Sequence, residues 1–322
     1  MLDIEISVVI PVYGSQDTLE ELYERLSSQL ELITYSYEII LVNDNSPDSS
    51  YEIMEQIRKR DKRVKIIRLM KNFGQHNAIM CGFNYSVGEY VVTMDDDLQN
   101  PPEEIHRMMS KIKEGFDVVI GKAIDKKHAS YRNLGSYLIG LSFAKIFKKP
   151  RELKMSSFRI LRKSLVQTII KSKTPNPMID ALILSNTSRV INIEVKHDVR
   201  KHGTSNYTLF KSVKLAFDLL INYSTIPLQF ISLNGFVFAI IGVLIAIYAI
   251  IGKIFGFIIA PGYTSIIALI SIFSGLIMVS FGVVGEYLTR IIGEVAHFRQ
   301  YVIAESSYQE EDSSKEVASA KS

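Results

Sequence analysis

The stretch VVTMDDDLQNPPEE, residues 91–104, sets three consecutive carboxylates, Asp95, Asp96 and Asp97, at the end of an apolar run, with Gln99 just beyond. Like charges this close repel, and each raises its neighbour's pKa. Two arrangements relieve that repulsion. One is a solvated, acid-rich turn opening a helix, with Glu103 and Glu104 where the helix dipole favours acids. The other is a divalent-cation site. Along a strand alternate side chains share a face, so Asp95 and Asp97 are expected to point together and Asp96 away. Two carboxylates and the amide oxygen of Gln99 make a hard, oxygen-rich donor set that suits Mg2+ or Mn2+, usually shared with phosphate oxygens.

Two further polar groups interrupt apolar runs, PVYGS at 11–15 and VNDNS at 42–46. A carboxylate at Asp44 can accept hydrogen bonds from the N–H of a base, and Tyr13, after Pro11, can pack against that base. Taken singly, each of these is more often a turn residue than a ligand. The segment NFGQHNAIMCGF, 72–83, reads as a plain strand-to-helix turn at Gly74.

The elements that must carry these residues alternate. Apolar, β-branched runs at 5–12, 37–44, 64–70, 89–95 and 117–121 are separated by helical patterns near 17–31, 48–60, 75–86 and 101–113. Near-continuous apolar strands between helices indicate a mostly parallel sheet covered on both faces, an α/β domain of doubly wound type. Ligands of such domains sit beyond the carboxyl ends of the strands, where all three polar groups fall. Residues 125–205 are rich in Lys and Arg; strands are expected near SSFRIL and RVINIEV, and helices over 163–186.

The character of the chain changes at Tyr207. Phe210, Val213, Phe217 and Leu220 recur at helical spacing while Lys211, Lys214 and Asp218 take another face, the pattern of a helix lying along a membrane surface or packed on the domain. Residues 231–252 and 264–285 carry no charge and are each long enough to cross a bilayer, which takes about 20 residues. The short linker, with Pro261 and Gly262, makes them a hairpin, so both termini share a side. Lys211 and Lys214 before the hairpin and Arg290 and Arg299 after it, against Lys253 in the linker, put the domain and tail in the cytoplasm by the positive-inside rule. Small residues Ser271, Gly275 and Gly282 leave room for helices to approach and for a homo-oligomer.

Over 322 residues the net charge is +3, too small to imply nucleic acid, and the single cysteine, Cys81, excludes an internal disulfide. The acids of MLDIEISVVIPVY, where a signal peptide needs a basic segment, make the N-terminus the first strand of the fold. The polar tail AESSYQEEDSSKEVASAKS is expected to be disordered. The expected organisation is therefore an α/β domain over 1–206, an interfacial helix over 207–229, two membrane helices within 230–286 (about 230–252 and 264–285) and a cytoplasmic helix and tail over 287–322.

In order along the chain, VVIPVYGS, VNDNSPDSS, NFGQHNAIMCGF, MDDDLQNPPEEI, SSFRIL and RKHGTSNY, followed by two apolar spans, resemble the polyprenyl-phosphate glycosyltransferases. These are inverting family 2 enzymes with a nucleotide-binding GT-A domain, among them dolichol-phosphate mannose synthase and bacterial undecaprenyl-phosphate sugar transferases. The resemblance covers roughly residues 5–300. It implies nucleotide binding at Pro11, Tyr13 and Asp44, and a metal and diphosphate site at Asp95, Asp97 and Gln99. It also implies an acceptor-phosphate segment at Arg200, Gly203, Ser205 and Tyr207. The chain departs from the family pattern at Gly14 and Ser15, where the family usually has Asn-Glu, and at Asp96, where it commonly has Ala. The extra acid either changes metal affinity or faces solvent.

The resemblance implies transfer of a sugar from a nucleotide-diphosphate sugar to a polyprenyl monophosphate at the cytoplasmic face of a bacterial plasma membrane. A phosphate monoester has a second pKa near 6, so its oxygen is already ionised at neutral pH and needs no strong general base. The task is to bring two anions together. Catalytic weight is expected on Asp95, Asp97, Arg200 and Ser205, with Arg132, Arg159, Arg200, Lys201, Ser205 and Tyr207 holding the lipid phosphate; Arg132 and Arg159 are chosen by charge and segment alone. One rival is a processive polysaccharide synthase, which has more spans and a Trp-containing acceptor segment; this chain has no Trp. A second is a non-catalytic membrane protein that binds nucleotide-sugars, and a third, a channel built from the hairpin, lacks intramembrane charge.

Overall fold

The computed structural model of the chain describes residues 4–123, 152–198 save 173 and 175, 262–295 and 299–308, with scattered positions between 231 and 255. The chain divides into two compact units, one of residues 1–134, 147–207 and 297–322, the other of 135–146 and 208–296.

The first unit is built on one eight-stranded sheet of order β7-β5-β6-β4-β1-β2-β3-β8. Its strands are β1 (Ile6–Val12), β2 (Tyr37–Asn43), β3 (Val64–Leu69), β4 (Tyr90–Thr93), β5 (Val118–Ala123), β6 (Arg159–Arg162), β7 (Val190–Val195) and β8 (Ile303–Ser306). β1 lies parallel between β2 and β4, and β2 lies parallel to β3. Every residue of β1, β2 and β4 is buried, which is why these strands read as unbroken apolar runs rather than as alternating ones. The order 3-2-1-4 reverses direction at β1, so a crevice opens beyond the carboxyl ends of β1 and β4. Pro11 is tolerated in this central strand because of where β4 stops. Val9 O accepts from Met94 N and Val12 O from Asp44 N, so odd positions face β4 and even ones β2. The N–H that Pro11 lacks would face β4 beyond its last paired residue, Thr93.

Helices cover both faces. α1 (Leu19–Ile33), α2 (Ser50–Arg60) and α4 (Ile105–Lys113) bury Leu22, Leu26, Met54, Ile57, Met108 and Ile112 on one side. α3 (Gln75–Tyr85), α5 (Lys163–Ile169) and α6 (Ile179–Asn186) bury Ile79, Phe83, Val166 and Ile183 on the other.

The sheet is mostly parallel, as expected, and mixed: β6 enters antiparallel between β4 and β5, and β8 is antiparallel to β3. The helices expected over 163–186 are α5 and α6, with Pro177, which lacks a backbone donor, in the segment between them. One expectation needs correction: the tail is not disordered at its start. Residues 303–306 form β8, Ser307 Oγ accepts the Ile66 N–H at 3.0 Å, and the Tyr308 ring stacks on Tyr85 at 4.7 Å. β8 thereby covers the edge that β3 would otherwise present.

In the second unit, α7 (Tyr263–Val295) is a continuous 33-residue helix. Many of its described apolar side chains, Ile266, Leu269, Ile270, Ile277, Phe281 and Val284 among them, are exposed, while Phe273, Leu276 and Val283 are half-buried. Helical positions 233, 237, 240, 244, 247 and 251 likewise carry exposed Leu, Val or Ile. No helix among the described residues is long and apolar enough to cross a membrane. The interfacial helix expected over 207–229 lies outside the described residues.

Candidate active site

The carboxyl ends of β1, β2 and β4 and the turn before α3 enclose an open cleft of about 300 Å³. Pro11, Val12 and Tyr13 line it from the β1 loop, Asp95, Asp96 and Asp97 from the acidic loop, Asp44 from the end of β2, and Asn72, Gly74 and Gln75 from the turn before α3. Tyr13 is 53% exposed, so its ring is free to take a planar group on its face.

Asp44 lies at the opposite extreme, 3% exposed. Its Oδ1 accepts the Phe73 N–H at 2.7 Å and its Oδ2 the Gly74 N–H at 2.8 Å. Burial pushes its carboxyl above the ordinary value, and those two N–H groups pull it back. Gly74 precedes α3 with φ +91°, a conformation that a side chain would strain. Asp44 is therefore both a lining group and the anchor of the 72–75 turn, and a ligand N–H would share oxygens already in use.

β4 ends at Thr93, so strand alternation no longer governs the acidic residues. Asp95 is oriented from both sides: Oδ1 accepts from Gln75 Nε2 at 2.7 Å and Oδ2 from the Ser157 hydroxyl at 2.5 Å. The Ser157 carbonyl in turn accepts the Thr93 hydroxyl at 2.6 Å. Asp97 Oδ1 accepts the Gln99 N–H at 3.1 Å, closing a turn. Leu98 within that turn has φ +61°, held there by a side chain that is 2% exposed. Asp96 does not point away to solvent. Its Oδ2 accepts the Tyr13 N–H at 3.0 Å and the Ser15 hydroxyl, and its carbonyl accepts the Thr18 hydroxyl at 2.7 Å. Burial pushes its carboxyl up to about 6, against the Ser15 and Tyr13 hydrogen bonds and with Asp95 pushing further. The two places where the chain departs from the family pattern thus touch each other.

Of the residues singled out from sequence, Pro11, Tyr13, Asp44, Asp95 and Asp97 come together on this cleft. Gln99 is not among its lining; it acts on Asp97 through its main chain. Arg159 is a correction. It is 2% exposed, and its Nη1 pairs with Asp180 Oδ1 at 2.6 Å, so its charge is already matched inside the protein. His76, half-buried, lies near this pair. Burial holds its pKa below the ordinary histidine value, with Arg159 lowering it further and Asp180 opposing. Arg132, Arg200, Lys201, Ser205 and Tyr207 lie outside the described residues. The chain just before Arg200 is nonetheless fastened to the acidic loop: Asp198 N donates to Gln99 O at 3.0 Å, and the Asp198 carboxylate pairs with Arg25 at 3.3 Å. Arg25 also holds Glu103 at 2.9 Å. Sequence reasoning missed Gln75 and Ser157. Both lie in quoted motifs, but an amide and a hydroxyl carry no signal until the fold sets them on Asp95.

Among the described residues no group of three or more His, Cys, Asp or Glu side chains is arranged as a metal cage. What the cleft offers is a pair, Asp95 and Asp97, on one wall. One or two carboxylates completed by substrate phosphates is the ordinary way a hard divalent ion such as Mg2+ is held, so the donor set fits.

Residues 7–170 match the glycosyl transferase family 2 profile. The chain is 35% identical over 302 residues to the undecaprenyl-phosphate 4-deoxy-4-formamido-L-arabinose transferase of Proteus mirabilis, covering 93% of each chain. It is 36% identical over 304 residues to the protein of the same name in Edwardsiella ictaluri, covering 92% of this chain and 93% of that one. Among solved structures, it is similar to the glucosyl-3-phosphoglycerate synthase of Mycobacterium tuberculosis at 16% identity and a TM-score of 0.48, covering 68% of this chain and 78% of that one.

Proposed function

Because the chain belongs to glycosyl transferase family 2, we propose that it transfers a sugar from a nucleotide-diphosphate sugar to polyprenyl phosphate, through a GT-A-like domain on the cytoplasmic face of a bacterial membrane. The observation that carries the reading is the meeting of Tyr13, Asp44, Asp95 and Asp97, drawn from three strand ends, on one cleft at the reversal of strand order. The base rests against Tyr13 and its N–H groups face Asp44. The diphosphate lies toward Asp95 and Asp97, which would hold a divalent ion; when bound, that ion supplies positive charge against the leaving diphosphate.

The acceptor oxygen is an ionised phosphate, so no side chain has to remove a proton. Its lone pair forms the new bond to the anomeric carbon as the bond from that carbon to the diphosphate oxygen breaks, and the departing electron pair stays on the diphosphate. Attack from the face opposite the leaving group inverts the centre. What this chain's residues supply is placement of two anions in line. Arg200, Lys201, Ser205 and Tyr207 take the lipid phosphate in this reading, with Arg132 beside them. The bond from Asp198 to Gln99 supports it, because it tethers the chain leading into that segment to the diphosphate wall. Arg159 leaves the set. The relatives' names make 4-deoxy-4-formamido-L-arabinose the first sugar to try.

The membrane part of the reading rests on the sequence, in which residues 231–252 and 264–285 carry no charge and each is as long as a bilayer crossing takes, about 20 residues. Exposed Ile, Leu, Val and Phe along a helix are at home in lipid and costly in water. The purified full chain is to be offered a panel of nucleotide-sugars with undecaprenyl phosphate, the product read by mass spectrometry. A glycolipid of one sugar is expected. Nucleotide-sugar binding with no glycolipid from any donor would make the protein a binder rather than a transferase.

A further inference from the structure

Four consecutive backbone N–H groups after β1 all donate to side chains brought from elsewhere. Tyr13 N reaches Asp96 Oδ2 at 3.0 Å, Gly14 N reaches Ser46 Oγ at 3.2 Å, Ser15 N reaches Ser50 Oγ at 3.0 Å, and Gln16 N reaches Asp48 Oδ2 at 3.1 Å. Two of those acceptors, Ser46 and Asp48, lie in the segment joining β2 to α2, and a third, Ser50, is the first residue of α2. Asp96 alone comes from the acidic loop. It takes the Ser15 hydroxyl as well, on the same oxygen, while the Thr18 hydroxyl binds its carbonyl at 2.7 Å. Gly14, at φ +69°, allows the turn that points these N–H groups outward.

We propose that Asp96 is a positioning residue, which with Ser15 latches the loop carrying Tyr13 to the loop carrying Asp95 and Asp97, rather than a third metal ligand. The proposal rests on the reading of the cleft as a nucleotide-sugar site. There the Tyr13 wall and the diphosphate wall must stand one nucleotide apart, and the latch fixes that span. Asp96 is committed to the β1 loop through Oδ2, which takes both the Tyr13 N–H and the Ser15 hydroxyl, so the latch sets how its carboxylate is turned.

The test uses the detergent-solubilised full chain. UDP, GDP, ADP and CDP are titrated calorimetrically with Mn2+ present, and Mn2+ alone is titrated by electron paramagnetic resonance. The nucleoside diphosphate that binds is then followed through the variants. Asp96→Ala is expected to weaken it about tenfold, the loss of a hydrogen bond to a charged group. Ser15→Ala is expected to weaken it about threefold. Ser15→Ala added to Asp96→Ala should cost nothing more, since both remove one latch. Asp96→Asn should recover most of the affinity, because its carboxamide oxygen still accepts from Tyr13 and Ser15, and should leave Mn2+ binding unchanged. Thermal unfolding of each variant shows whether the fold is kept, and Ser15→Ala, the milder change, carries the test if Asp96→Ala does not fold. Losses that multiply in the double variant overturn the latch, as does Asp96→Asn losing Mn2+ as Asp97→Asn does. Nucleotide affinity at the wild-type level in both Asp96→Ala and Ser15→Ala overturns it too. A wild-type chain that binds none of the four diphosphates refutes the reading of the cleft itself, which the variants then cannot rescue.

Discussion

Asp44 is the most heavily committed group of the cleft, and its replacement has a size that follows from its partners. The carboxylate accepts Phe73 N–H at 2.7 Å and Gly74 N–H at 2.8 Å while 3% exposed. Asp44→Asn keeps one oxygen and turns an NH2 toward the other donor. Gly74 N–H has a second acceptor, Asn72 Oδ1 at 3.1 Å, so the amide settles with its oxygen on Phe73 and its NH2 toward Gly74. One charge-assisted bond is lost, part of that loss is offset by no longer burying a charge, and Asn72 takes the orphaned donor. The net cost should be about 1–2 kcal/mol. Asp44→Ala leaves Phe73 N–H without an acceptor and should cost about 3–4 kcal/mol, and adding Asn72→Ala to Asp44→Asn should cost more than the two changes measured apart. Thermal unfolding reads this as a shift of about 2–4 °C per kcal/mol for a unit of this size. The turn that Asp44 anchors also carries Gln75, so nucleotide affinity should fall with stability. Asp44→Ala unfolding within a degree of the wild type would show that the carboxylate does not hold the turn.

Asp97→Asn should abolish transfer and leave thermal unfolding unchanged, because Asp97 packs no core; a variant that keeps full activity in EDTA would end the metal proposal. Arg159→Met strips the partner from Asp180 in a largely buried pair and should destabilise the protein by about 3 kcal/mol, while the KM for polyprenyl phosphate in the surviving folded fraction stays at the wild-type value. A raised lipid KM with unchanged stability would return Arg159 to the acceptor site. His76 has a folded pKa below the ordinary 6.5, through burial first, so the unfolded chain binds its proton first. Stability from this group is full above about pH 6.5 and declines as pH falls toward the depressed folded value. His76→Phe should therefore flatten the fall in unfolding temperature between pH 6.5 and 5.5, and an unchanged slope would mean that His76 takes its proton while folded.

What could be read in advance follows physical lines. β1 to β4 were legible because burial on both faces forces Val and Ile into unbroken runs, and Tyr13, Asp44, Asp95 and Asp97 were legible because polar residues at the ends of such runs have few structural reasons to be there. β8 was not. Ile-Ala-Glu-Ser has no strand pattern of its own, and its pairing depends on an edge formed by residues more than 200 positions earlier. The orientation of Asp96 was misjudged because the alternation rule holds only inside a strand, and β4 stops at Thr93. Arg159 was misjudged because a lone cation in an apolar strand reads as surface charge until Asp180 arrives from α6 to match it.

The cleft also explains how carboxylates can line a site meant for an anionic donor. Each one is already bound to protein donors, and the bonds close into a ring. Asp96 ties the β1 loop to the acidic loop, Asp95 ties the acidic loop to Gln75 at the start of α3, Gly74 and Phe73 tie that turn to Asp44, and Asp44 N returns to Val12 O at 2.9 Å, one residue before Tyr13. A ring of this kind holds its charged groups in place before any ligand arrives, so the reaction does not have to reorganise them, which is where positioned electrostatic sites gain over water. It follows that the links are coupled. Opening the ring at Asp96 should loosen Asp95 and Asp44 as well, and a second cut should then cost less than the first, since one opening already frees every wall.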